Sequence, residues 1–180
     1  MTCIIGLVDK GDVYMGGDSA GVDGLYLTIR ADEKVFINGP FIMGFTTSFR
    51  MGQLLRYKFN PTAQTIQQDD MQYMVTTFID AVRKCFTDND FGETKKGGQF
   101  LVGYKGKLYT IDVDFQVGIP AKLYDAVGCG SDLALGAMYA TPELDPLKRI
   151  TTALKAASTF SAGVAAPFRT LKLPKIPAKK

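Results

Sequence analysis

The chain has 180 residues, 46% hydrophobic and 22% charged, with a net charge of +3 and no histidine. That size and balance suit one globular domain with a real core, and no apolar run approaches the ~20 residues that span a bilayer. Without histidine, Ser-His-Asp and Cys-His catalysis and His-ligated metal sites are excluded within the chain, so a hydrolase here must find its base in an amine, a lysine or a carboxylate.

The first apolar run, Cys3 to Val8, reads as a strand. Asp9-Lys10-Gly11-Asp12 is a hairpin turn signal, and residues 13–18 form the returning strand. A stretch of turn and extended residues then leads to strands at 34–38 and 41–46. Thr47 or Ser48 caps a helix running to about Tyr57, and Pro61 to Gln68 is a connection. Asp69 and Asp70 open a helix from Met71 to Phe86, with Met74, Phe78, Ala81, Val82 and Cys85 at helical spacing and acidic residues suited to the helix dipole.

Turn clusters follow at 88–92 and 95–98. Residues 99–104 and 107–112 flank Lys105-Gly106 as a second hairpin. A short strand is expected at Ala126-Val127, helices over 131–139 and 146–157, and a last strand within 164–173. Hairpin-connected strands broken by helix pairs point to an α+β protein, with antiparallel sheets packed together under helices. Residues 1–173 form one domain. The remainder, 174–180, is a Pro/Lys tail that reads as solvated, or as packed against a neighbouring subunit. With Arg sparse and no basic-aromatic interleaving, no nucleic-acid partner is expected.

Cys3, Cys85 and Cys129 lack CxxC spacing and read as buried thiols, so neither a disulfide nor a metal site is expected. The N-terminus has no charged region ahead of a separate apolar core, so a signal peptide is not expected and the cytoplasm is the default location. Gly128-Cys129-Gly130-Ser131 lies between a strand and a helix, where a phosphate could sit, but the next glycine is Gly136 and the βα repeats of a dinucleotide fold are missing. No cofactor is expected.

Thr2 has the groups that hydrolytic chemistry needs, though a threonine at this position is by itself commonplace. Once Met1 is removed, Thr2 holds a hydroxyl and a free α-amine on one residue, a nucleophile with its own base. An α-amine has a pKa near ~8, so a useful fraction is neutral at working pH. Two further residues follow at equal intervals: Asp18 comes sixteen after Thr2 (18 − 2) and Lys34 sixteen after Asp18 (34 − 18).

With Gly17-Asp18-Ser19, Lys34-Val35-Phe36-Ile37 and the loop 127–131 followed by Ala134-Leu135-Gly136-Ala137, the chain resembles the proteasome β-subunit and its bacterial ring-protease relatives. These are N-terminal nucleophile hydrolases of the threonine type. The resemblance covers the chain without large gaps to about Gly44 and is looser after Arg56. It implies a four-layer αββα sandwich. It also implies Thr2 as nucleophile, Lys34 as the cation beside it, and Asp18 as the carboxylate that holds Lys34.

The support residues depart from the family pattern. Ser48 matches the position whose backbone N–H stabilises the oxyanion, but the family's Ala-Gly-Gly is here Thr47-Ser48-Phe49, and bulky Phe49 narrows the cleft. Cys129 replaces a serine hydroxyl that bonds the amine. A thiol donates weakly, so the network is looser unless Ser131 compensates. Ser161 matches the serine of an Asp-x-x-Ser-Gly segment, but Ser158 stands in place of its Asp. The substrate pocket implied by the resemblance involves Gly21, Asp32, Phe36, Thr46 and Arg50, in which Arg50 would favour an acidic side chain, Asp32 a basic one, or the two would pair.

The resemblance implies a homo-oligomeric ring acting on peptides or unfolded protein, with an ATP-dependent unfoldase as partner for folded substrates, since an enclosed site admits only extended chains. Two alternatives stay open. One is a catalytically weak or inactive assembly subunit. The other is a non-proteolytic amidohydrolase with the same reacting groups.

Overall fold

Alternation along the first hairpin sets the architecture. In a computed structural model that describes residues 1–91 and 97–175, β1 (Ile4–Asp9) pairs with β2 (Asp12–Gly17). Lys10 and Gly11, both at positive φ, make the two-residue turn that matches strand twist. Ile4, Val8, Val13 and Met15 point to one face of this ribbon, and Ile5, Leu7 and Tyr14 to the other. Both faces are apolar, so both must be covered.

One face meets a second sheet. β5 (Val35–Asn38), β6 (Phe41–Phe45), β7 (Phe100–Tyr104), β8 (Lys107–Ile111) and β9 (Val117–Gly118) form it in chain order, all antiparallel. Val35, Ile42, Leu101 and Leu108 face Ile4, Val13 and Met15 across the interface. The first sheet is completed by β10 (Tyr124–Val127) beside β1 and β11 (Arg169–Leu173) beside β2.

The outer faces take the helices. α1 (Phe49–Tyr57), α2 (Asp70–Tyr73) and α3 (Ile79–Thr87) cover the five-stranded sheet, burying Met51, Leu54, Leu55, Tyr73, Phe78 and Val82 against Phe41, Met43, Phe45 and Tyr109. α4 (Ser131–Ala140) and α5 (Pro146–Phe160) cover the other sheet, burying Ala134, Met138, Ile150 and Leu154 on Ile5, Leu7 and Tyr14. The layers run α, β, β, α, the sandwich the resemblance implies.

Ser48 caps α1, Asp69 caps α2 and Asp145 caps α5, each accepting a bond from an amide of the first turn. The single helix expected over 71–86 is continuous from Asp70 to Thr87 but includes a π-helical turn at Met74–Phe78. Two elements differ more. The stretch expected to be turn and extended contains a separate hairpin, β3 (Ala20–Asp23) and β4 (Tyr26–Ile29), and β9 was not expected. The last strand begins only at Arg169, because residues 161–168 form the loop that reaches the site. Gly92, Lys95 and Lys96 of the expected turns, and tail residues 176–180, lie outside the described residues.

Candidate active site

At one end of the sandwich, β1 begins, β2 ends and β5 begins. Pairing places Ile4 opposite Gly17 and also opposite Val127 of β10. The residues just before Ile4 and just after Gly17 and Val127 therefore converge. Lys34 arrives from the other sheet, one residue before β5.

Lys34 Nζ donates to Thr2 Oγ1 at 3.0 Å, to Asp18 Oδ1 at 2.8 Å and to the Ala20 carbonyl at 2.6 Å. Three ammonium hydrogens meet three acceptors. Thr2, Asp18 and Lys34 are all buried, Lys34 to 1% exposure. Asp18 is saturated too: Oδ1 also accepts from the Cys3 amide, and Oδ2 from the amides of Ala20 and Ala165. Four donors on two oxygens hold the carboxylate rigid. Burial lowers the Lys34 pKa, and the charge of Asp18 opposes that shift. Burial, reinforced by Asp18, pushes the Cys3 thiol up to about 12.

The backbone of Thr2 is clamped by the loop after β10. Gly128 has φ 100°, and a Cβ there would lie 2.3 Å from the Thr2 carbonyl oxygen, so only glycine fits. The Gly130 amide donates to that carbonyl. The Thr2 amide donates to Cys129 Sγ at 3.3 Å, and Cys129 Sγ lies 3.5 Å from Ser161 Oγ. Ser131 opens α4, its amide bonded to Gly128, and the thiol of Cys129 serves the Thr2 amide. Met1 lies over this corner against Gly163, and the Thr2 hydroxyl donates to the Met1 carbonyl.

No protein-family model and no curated protein matches the sequence. Solved structures do match. BPH of Thiobacillus denitrificans, in complex with epoxomicin, superposes with a TM-score of 0.80 at 19% identity, over 98% of this chain and 100% of that one. A second structure of the same protein gives 0.80 at 18% identity. Eukaryotic HslV of Trypanosoma brucei gives 0.69 at 17% identity, over 95% and 98% of the two chains. The fold is the one shared by BPH and HslV.

Within this HslV-type fold the remaining expected residues are placed unevenly. Ser48 sits at the start of α1, but its N–H donates to the Thr46 carbonyl at 2.8 Å, across Thr47 at φ 72°. The amide expected to face an oxyanion is thus occupied in a tight turn. Ser158 bonds the carbonyl of Lys155 on its own helix.

In the expected pocket, Gly21 lies on β3 and Thr46 is buried beside Gly128. Phe36 is a correction. Val35 points between the sheets, so Phe36 points the other way, into the core under α1, where a substrate cannot reach it. The pairing of Asp32 with Arg50 is also corrected. Asp32 accepts two bonds from Arg30, both at 2.6 Å, which hold its carboxyl below the usual range, while Arg50 lies exposed on the first turn of α1.

Arg30, which grips Asp32, was not singled out from the sequence. Its opposite charge two residues from Asp32 was the available signal. The Ala165 amide on Asp18 comes from a distant loop and had no local signal. Among the described residues no group of three or more His, Cys, Asp or Glu is placed to hold a metal, and no helix is long and apolar enough to cross a membrane.

Proposed function

We propose that this chain is a threonine-type peptidase that hydrolyses peptide bonds through Thr2 after Met1 is removed. One observation carries the reading: a buried ammonium 3.0 Å from Thr2 Oγ1, itself fixed 2.8 Å from a saturated carboxylate. A structural ion pair needs no hydroxyl from the second residue. A nucleophile needs this arrangement.

Removal of Met1 converts the Thr2 amide into an α-amine. That amine, directly or through a water, takes the proton as Oγ1 adds to the substrate carbonyl. The cation of Lys34 favours both the developing alkoxide and the neutral amine. The amine returns the proton to the departing nitrogen, leaving an ester on Thr2 that water hydrolyses by the same route. Cys129, already partnered with this nitrogen, orients the amine, and Ser161 backs Cys129.

The substrate is a peptide or unfolded protein, the working form is a homo-oligomeric ring, and a cytoplasmic setting with an ATP-dependent unfoldase would suit it. Support for these finer points is the likeness to HslV-type proteins. Intact-mass measurement with a peptide epoxyketone tests the core of the reading. The expected result is a chain lacking Met1 with one adduct on Thr2, and no adduct on Thr2→Ala.

A second reading, a catalytically weak assembly subunit, is favoured by the Ser48 N–H, which is already bonded to Thr46 and so not free for an oxyanion. A folded, processed chain that stays unlabelled would decide for it.

A further inference from the structure

Phe49 and Arg30 stand on the side of Lys34, the cation that holds Thr2. Phe49, at the first position of α1, has its ring centre 5.6 Å from Lys34 Nζ, and Lys34 Nζ is 3.0 Å from Thr2 Oγ1. The guanidinium of Arg30 lies over the same ring at 3.9 Å, and Phe45 meets it edge-on with centres 5.7 Å apart. Phe45 cannot retreat, because its own ring fills the place a Cβ on Gly52 would take. Phe49 therefore has a fixed floor on the core side and a cation on the outer side.

Arg30 is equally committed. Its aliphatic stem crosses β3 at Gly21, where a Cβ would meet it at 2.9 Å. Its head is held by both oxygens of Asp32. Arg30 and Phe49 form one wall of a cavity of about 270 Å³, whose other lining residues are Gly21, Val22, Asp23, Tyr26 and Thr28. A cation over an aromatic face is attracted by the ring quadrupole even at exposed sites, so the guanidinium and the ring hold each other in place.

We infer that Arg30 and Phe49 are specificity-determining residues that wall off the position next to the scissile bond, so that this site takes substrates with a small uncharged residue, glycine or alanine, on the acyl side of the cleaved bond. The inference rests on the peptidase reading of Thr2. A leucine or phenylalanine side chain pointing from the attacked carbonyl toward Phe49 meets the ring. To enter, it must break the Arg30 stack and the Arg30–Asp32 pair together. The paired Asp32 also neutralises Arg30, so an acidic substrate side chain gains no free cation there.

The test compares two tripeptide epoxyketones that differ only in the residue bearing the warhead, alanine or leucine, on the full chain lacking Met1. Adduct formation on Thr2 is followed by intact mass. The wild type is expected to react at least tenfold faster with the alanine probe. Phe49→Ala and, independently, Arg30→Ala are expected to bring that ratio near one by raising the leucine rate. Equal rates in the wild type, or a ratio unchanged in both variants, overturns the inference while leaving Thr2 as the nucleophile. No adduct with either probe in any of the three proteins overturns the peptidase reading, and this inference with it.

Discussion

Lys34 makes three hydrogen bonds inside the protein, to Thr2, Asp18 and Ala20, and burial makes its charge easier to lose than that of a free lysine. The pH consequence has a definite sign. A free lysine titrates near ~10.4; Lys34 gives up its proton below that, and with it the cation beside Oγ1. The rate of Thr2 labelling should fall on an alkaline limb centred below the ordinary lysine value, and Lys34→Arg should move the limb upward. A limb at or above the ordinary value would count against the role given to Lys34. Unfolding cannot mimic this limb through the same residue. Between the lowered folded pKa and the unfolded one, the unfolded chain binds more protons, so this group's contribution to stability rises with pH there.

Cys129 permits a second check. It is exposed, whereas Cys3 and Cys85 are buried and their thiols are held protonated chiefly by that burial. Mild alkylation should modify Cys129 alone and block labelling at Thr2, since Sγ touches the Thr2 nitrogen. Cys129→Ser should label at an equal or greater rate and resist the reagent. Inhibition that persists in Cys129→Ser would place the sensitive thiol elsewhere.

At the scale of elements, the sequence was readable where burial and periodicity agreed. Both Lys-Gly turns, Lys10-Gly11 and Lys105-Gly106, have positive φ at each residue, as a two-residue hairpin needs. The strand runs of β1, β6 and β7 are buried on both faces, so a continuous apolar run marked them. β4 was missed for the opposite reason: Tyr26, Leu27, Thr28 and Ile29 are all exposed, and no packed face imposes a period. The π-helical turn left no mark because its buried Met74 and Phe78 fit a helical apolar spacing, and Val75, Thr76 and Thr77, though poorer helix formers, do not by themselves signal a change of helix type. In the site, the resemblance found Thr2, Asp18 and Lys34, whose intervals match the family's, and each lies next to a strand end. Phe36 was misassigned because spacing fixes a position along a strand, and only the register of its neighbour Val35 fixes the face.

At the scale of the molecule, the Thr2–Lys34 distance is set by how closely the two sheets approach. Thr2 leads into the first sheet and Lys34 into the second, and between them lies Gly44 of β6. A Cβ on Gly44 would be 2.5 Å from Ile4 Cγ2, 2.7 Å from Met15 Sδ and 3.1 Å from Val35 Cγ1. Ile4 is two residues from Thr2, and Val35 adjoins Lys34. Gly44→Ala must therefore push the sheets apart at the site end. Overpacking of this kind costs about 1–3 kcal/mol, and at roughly 2–4 °C per kcal/mol for a chain this long it should lower the melting temperature by several degrees. Labelling of Thr2 should slow as well, because a hydrogen-bonded cation moved even slightly outward loses its hold on Oγ1. Gly136 provides the contrast. It lies in α4 with open space around it, so Gly136→Ala should gain about 1 kcal/mol of helix stability and leave labelling unchanged. A Gly44→Ala protein that melts lower yet labels at the wild-type rate would show that the spacing of the sheets does not govern the nucleophile.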